Sequence, residues 1–154
     1  MSRRIIAFVL FSILAGLLCS CASSTDTTTT APVQSSQLIG PADKVEVVYF
    51  HRHRRCEACT YAEERISYIL KAYFQDELNS GKLTFGIYGI EDKDSAALAK
   101  RFGAIGSQLF INRIKDGIDH IRYIEEIWYW GCIDNEEVFD RTVQNVIKEN
   151  LYGR

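Results

Sequence analysis

The sequence predicts an α/β domain, a central four-stranded mixed sheet flanked by helices, with its elements in the order β-α-β-α-β-β-α. Three observations predict it. An apolar, β-branched run at residues 45–50 is followed by a segment whose apolar residues recur at spacings of three and four. A second strand-then-helix pattern occupies residues 83–102. The pair Asp116-Gly117 then signals a tight hairpin between two further strands.

Each element has its own reason. Residues 45–50, Val-Glu-Val-Val-Tyr-Phe, read as a central strand buried on both faces. The helix after it begins around Cys56 and runs toward Asn79, with Ala62, Ile66, Ile69, Leu70, Tyr73 and Phe74 on its apolar side. Asn79-Ser80-Gly81 ends it, because glycine accepts the left-handed cap conformation. Residues 83–90 form the second strand. Residues 93–102 form a short helix, capped by Asp92 or Asp94 and closed by Gly103. Residues 107–114 and 120–124 are the third and fourth strands, on either side of the hairpin turn. Residues 136–151 are the last helix, with Val138, Phe139, Val143, Val146 and Ile147 along one face. Alternation of the first three strands with helices predicts parallel pairing among them, and the hairpin adds an antiparallel strand.

The N-terminus carries an export signal. Arg3 and Arg4 precede an apolar run at residues 5–18, too short to span a bilayer and of the right length for a secretory h-region. The run ends in Leu18-Cys19-Ser20-Cys21, which resembles a bacterial lipobox and marks Cys21 for lipidation, an ordinary cleaved signal being the alternative. Residues 22–42 hold Thr27-Thr28-Thr29-Thr30, Ser35-Ser36 and both prolines, Pro32 and Pro41. They read as a disordered Ser/Thr-rich tether with a root-mean-square reach of roughly 25 Å. The folded domain is expected at residues 43–154. Loss of residues 1–21 removes two arginines and no acid, taking the net charge from −2 to −4, which argues against nucleic-acid binding. The expected location is extracytoplasmic, anchored by lipid to a bacterial membrane.

Export leaves Cys56, Cys59 and Cys132 in the folded part. Cys132 follows Tyr129-Trp130-Gly131 and reads as a buried, inert thiol. Cys56-Glu57-Ala58-Cys59 stands where a strand gives way to a helix, so its sulfurs meet at a helix N-terminus that favours a thiolate. Thiolates are the nucleophiles of disulfide exchange and are soft-metal ligands, so the motif points to one of these two chemistries. Arg52, Arg54 and Arg55 precede Cys56 in an acidic chain, and Arg54 and Arg55 in particular are expected to stabilise its thiolate. A solvated loop is the plainer reading of the same arginines.

The element order, with a CxxC after the first strand, resembles the thioredoxin fold over residues 44–151. More narrowly, Tyr49-Phe50-His51, then Arg54-Arg55-Cys56 and Cys59, and the later stretch 124–128, resemble a bacterial thioredoxin-like lipoprotein group often labelled a nitrophenyl compound nitroreductase subunit. No GxGxxG follows a strand, so no dinucleotide motif accompanies that label. The resemblance implies an attacking Cys56, a resolving Cys59, no required cofactor, and a protein dithiol or disulfide as partner. The chain also departs from thioredoxins. Glu-Ala separates the cysteines, and Phe50 stands where thioredoxins place a buried Asp. No proline follows Pro41, so Ile105-Gly106-Ser107-Gln108 replaces the cis-proline stretch opposite the CxxC. Gly106 and Ser107 are therefore expected to present backbone to the partner.

Two other functions stay open on sequence. One is a Cu(I)- or Zn-binding protein using Cys56 and Cys59 with His51 or His53. The other is a non-catalytic envelope adaptor with a structural disulfide. Tyr123, Trp128, Tyr129 and Trp130 read as core, with a peptide-docking platform as the alternative, and His120 reads as structural.

Overall fold

A computed structural model describes residues 40–153 of the protein. The expected signal segment, the expected lipidation site Cys21 and residues 22–39 of the expected tether lie outside the described residues. Among the described residues, no helix is long and apolar enough to cross a membrane. The chain runs β1 (Lys44–His51), α1 (Glu57–Tyr73), α2 (Gln75–Asn79), β2 (Leu83–Gly89), a 3-10 turn at Lys93–Ser95, α3 (Ala96–Phe102), β3 (Gln108–Lys115), β4 (Ile118–Tyr123), a 3-10 turn at Glu125–Trp128, and α4 (Glu136–Tyr152). The strands lie side by side as β2-β1-β3-β4. β1 and β2 are parallel, while β3 runs antiparallel to both β1 and β4. This is the thioredoxin-like arrangement.

Pairing of the third strand differs from expectation. β3 is antiparallel to β1, with Gln108 opposite Phe50 and Ile114 opposite Lys44. A parallel return needs a crossover as long as the sheet. Seven residues of α3 rise only about 10 Å, against about 23 Å for a seven-residue strand. The chain therefore re-enters the sheet at the end where β1 leaves it. That places the start of β3 beside the end of β1.

Alternation along β1 divides the core into two layers. Val45, Val47 and Tyr49 pack with Ile66, Ile69 and Leu70 of α1 and Phe139, Val143 and Ile147 of α4. Val48 and Phe50 point the other way, onto Ala99 and Phe102 of α3 and Phe110 of β3. Arg65 of α1 clamps α4 by paired hydrogen bonds to Asp140, both 2.5 Å, and a 2.9 Å contact with Glu136. The expected long helix breaks at Phe74, whose φ of −133° leaves the helical region. The break buries Phe74 and leaves Tyr73 52% exposed, so Tyr73 is not part of the apolar side. The hairpin turn has φ of +53° at Asp116 and +74° at Gly117, the conformation that Asp-Gly favours.

The ends of the domain meet. Ala42 is buried and its N–H donates to the Leu151 carbonyl at 3.1 Å, so ordered packing reaches into the last residues assigned to the tether. A Cβ on Gly153, at φ +68°, would lie within 3 Å of the Gly40 backbone, so the closure requires glycine there.

A polar network ties α3 to the sheet. The buried Asn112 amide donates to Glu46 at 3.0 Å and to Asp119 at 2.9 Å, and Arg101 of α3 bonds both carboxylates. Burial raises the Glu46 pKa, but bonds from Asn112 and Lys44 and the charge of Arg101 outweigh it and hold it below the ordinary value. Bonds from Asn112 and then Arg101 lower Asp119. Depressed carboxylates stabilise the fold above their unfolded pKa and lose that contribution as pH falls through the folded one. Unfolding by urea should therefore require less denaturant as pH drops from about 5 to about 3. Glu46→Gln should flatten that loss; an unchanged pH profile in the variant would remove Glu46 from the account.

Candidate functional site

The site lies at the sheet end where β1 leaves and β3 enters. β1 stops at His51, a short loop carries the arginines, and Cys56 becomes the N-cap of α1. Cys56 Sγ accepts the Cys59 backbone N–H at 3.1 Å, as an N-cap oxygen would. Cys56 and Cys59 are joined by a disulfide, with Cα atoms 5.0 Å apart. Cys56 is exposed and Cys59 half-buried. The first sulfur is thus open to an incoming partner and the second is covered behind it.

The arginines are not equivalent. Arg55 pairs with Glu63, one turn after Cys59 on α1, through both guanidinium nitrogens, so a carboxylate offsets its charge. Arg54 is exposed and forms no hydrogen bond or ion pair among the described residues. Arg52 reaches across the site, where its Nη2 donates to the Ile105 carbonyl at 2.9 Å. It lies over Gly106, whose ideal Cβ position is 3.9 Å from Arg52 Nε. Gly106 and Ser107 are half-exposed, and Ile105 is 76% exposed.

The two histidines do not join the sulfurs. Nδ1 of His51 contacts the Arg52 carbonyl at 3.1 Å. His53 turns toward the segment after β2, where Nε2 lies 2.7 Å from Asp92 and its backbone N–H donates to Glu91. The Asp92 hydrogen bond is the main reason that the His53 pKa is raised. Asp92 therefore anchors the loop between β1 and α1, and no side chain caps the helical segment after it. Among the described residues, no three histidine, cysteine or acidic side chains are grouped to hold a metal ion. The proposed ligand set of His51, His53, Cys56 and Cys59 is not assembled, because β1 ends at His51 and the loop carries His53 to the β2 side.

The resemblance sets Phe50 where thioredoxins place a buried Asp. The structure puts Phe50 in the α3 layer, packed 5.9 Å from Phe102 and Phe110, and sets Tyr49 beneath Cys59 instead. The buried Tyr49 hydroxyl donates to the Cys59 carbonyl at 2.8 Å. Desolvation pushes its pKa up to about 12, against smaller opposing effects of Arg55 and a Ser107 hydrogen bond. Glu63, four residues after Cys59 on the same helix face, and Tyr49, in step with Val45 and Val47, were both readable from periodicity alone.

Cys132 is buried, its Sγ 3.7 Å from the Thr142 hydroxyl, as a core thiol. Of the aromatic run read as core, Tyr123 and Trp128 pack against the core, while Tyr129 and Trp130 do not. Tyr129 is 53% and Trp130 95% exposed, while Tyr123 and Trp128 are half-buried. The turn at Gly131, φ +82°, and the 2.9 Å bond from the Cys132 N–H to the Tyr129 carbonyl put Cys132 inward and Trp130 outward.

No family model matches the chain, and no curated protein matches it, so the narrower nitroreductase-subunit label finds no support there. Among solved structures, a thioredoxin from Thermus thermophilus is similar at 15% identity and a TM-score of 0.43, covering 70% of this chain and 76% of that one. A structure described as that of a malarial protein is similar at 13% identity and a TM-score of 0.40, covering 66% of this chain and 96% of that one. Both likenesses are remote, and the fold rests on the strand order and pairing.

Proposed function

We propose that this chain is a membrane-anchored, extracytoplasmic thiol–disulfide oxidoreductase. The observation that carries the reading is the exposed Cys56 sulfur at the N-cap of α1, disulfide-linked to a half-buried Cys59, beside the open backbone at Gly106 and Ser107. In the reduced protein, the Cys59 N–H and the helix end favour the Cys56 thiolate. The thiolate attacks one sulfur of a partner disulfide, forming a mixed disulfide and releasing the partner's other thiolate. Cys59 then attacks Cys56 Sγ, restoring the intramolecular disulfide and releasing the partner dithiol. Two electrons pass from the chain to the partner, and the reverse sequence oxidises a dithiol.

Thiolate stabilisation favours the reduced form and makes the pair more oxidising. Arg54 and Arg52 contribute to it. Arg55 contributes less because Glu63 offsets it, so the potential lies on the reducing side of what three uncompensated arginines would set. The partner is a protein disulfide or dithiol whose extended segment lies along Gly106 and Ser107. The membrane anchor is the lipid on Cys21, supported by the Leu18-Cys19-Ser20-Cys21 sequence after a basic and apolar leader.

Catalysis is tested by following reduction of a folded disulfide protein by dithiothreitol, with and without the chain. Acceleration supports the reading, and its absence sinks it. Gly106 separates partner docking from chemistry. An added Cβ there meets nothing closer than 3.9 Å, so Gly106→Ala should keep or slightly raise stability, by up to about 1 kcal/mol. Gly106→Val should slow exchange with the folded partner and leave reaction with a small aromatic disulfide unchanged. Equal slowing of both would remove Gly106 from partner binding.

A further inference from the structure

Tyr49 occupies a position that neither the thioredoxin resemblance nor the CxxC motif assigns. It is fully buried on β1, yet its hydroxyl is spent at the site rather than in the core. The Cys59 carbonyl belongs to the first turn of α1, where the helical pattern already supplies it with one donor. The Tyr49 hydroxyl fills its second acceptor direction from the sheet below, at 2.8 Å. One hydroxyl therefore ties strand β1, beneath the site, to the backbone of the second cysteine. Burial keeps that hydroxyl protonated, so the link persists through the neutral range.

Resting on the oxidoreductase reading, we propose that Tyr49 is a positioning residue, which ties β1 to the Cys59 backbone and holds Cys59 in line for attack on Cys56 Sγ. It exchanges no proton or electron with the partner. Attack by Cys56 comes first and needs an exposed thiolate, which Tyr49 does not touch. Resolution comes second and needs the Cys59 sulfur aligned with the Cys56–partner bond. Only the second step depends on how firmly Cys59 is held.

The test follows both steps in one experiment. The reduced protein is mixed with a peptide disulfide, quenched with acid at intervals, and weighed by mass spectrometry. Attack appears as the mixed disulfide and resolution as its conversion to the Cys56–Cys59 disulfide. Tyr49→Phe keeps the ring and removes only the hydroxyl. It should leave attack within about twofold and slow resolution roughly three- to tenfold, the worth of one hydrogen bond, so the mixed disulfide accumulates.

A Tyr49→Phe protein that resolves at the wild-type rate overturns the proposal, as does equal slowing of both steps, which would report a loosened fold. If Tyr49→Phe does not fold, a fluorinated tyrosine at position 49 decides: resolution should slow relative to attack as its more acidic phenol ionises, and a ratio of the two rates that follows the wild-type pH profile overturns the proposal. A wild-type protein that exchanges no disulfide overturns the oxidoreductase reading and this inference with it. Normal wild-type exchange with an unaffected Tyr49→Phe overturns this inference alone.

Discussion

Cys56→Ser should reduce disulfide exchange to background, while Cys59→Ser should stop it one step later with the partner still attached. The difference follows from where the sulfurs sit. Cys56 is exposed at the helix end and is the sulfur a partner reaches; Cys59 lies behind it, half-buried over Tyr49. A serine at 56 leaves no accessible nucleophile. A serine at 59 leaves Cys56 with the same backbone N–H and helix end to support its thiolate, so attack proceeds and resolution cannot. Mass spectrometry should show the partner's added mass on Cys59→Ser and none on Cys56→Ser. Adducts on Cys56→Ser would reverse the assignment of roles. Both variants should unfold with the reduced wild type, because neither can close the disulfide.

Phe139→Ala should cost about 3–5 kcal/mol, a large share of the roughly 5–15 kcal/mol that holds a domain of this size. Phe139 is fully buried in the first turns of α4, edge-on to Tyr61 of α1 with ring centroids 5.5 Å apart. Its removal opens a cavity at the α1–α4 seam, close to the first turn that carries the cysteines. Val138→Ala, at the half-buried neighbouring position, should cost far less. The midpoint of urea unfolding measures both, and a loss below about 1 kcal/mol for Phe139→Ala would mean that the seam collapses onto the gap.

Much of this was legible in the sequence because it depends on local rules. Val45–Phe50 became a strand, Gly81 and Gly103 took left-handed caps, and Asp116-Gly117 made the hairpin. The CxxC fell at a helix N-terminus because strand-to-helix transitions put it there. Other features depend on what meets across space. The antiparallel entry of β3 follows from the length of α3 relative to the sheet, not from any residue pattern. Asp92 was read as a helix cap, but His53, 39 residues earlier, takes its carboxylate. The aromatic run before α4 was read as core from composition, yet a single glycine turn exposes Trp130 and buries Cys132. Tyr49, given no role from the sequence, lies one residue from Phe50 and so on the opposite face of the strand. The period-two pattern of Val45, Val47 and Tyr49 is the signal that could have placed it.

The central claim is that the Cys56–Cys59 pair cycles, and its reduction potential tests this most directly. The protein would be equilibrated in glutathione buffers of graded ratio and its free thiols counted by alkylation and mass. The account predicts a single two-electron transition between roughly −120 and −270 mV, within the range of exchanging dithiols. A pair that stays oxidised to below about −300 mV would contradict it and make the disulfide a structural brace.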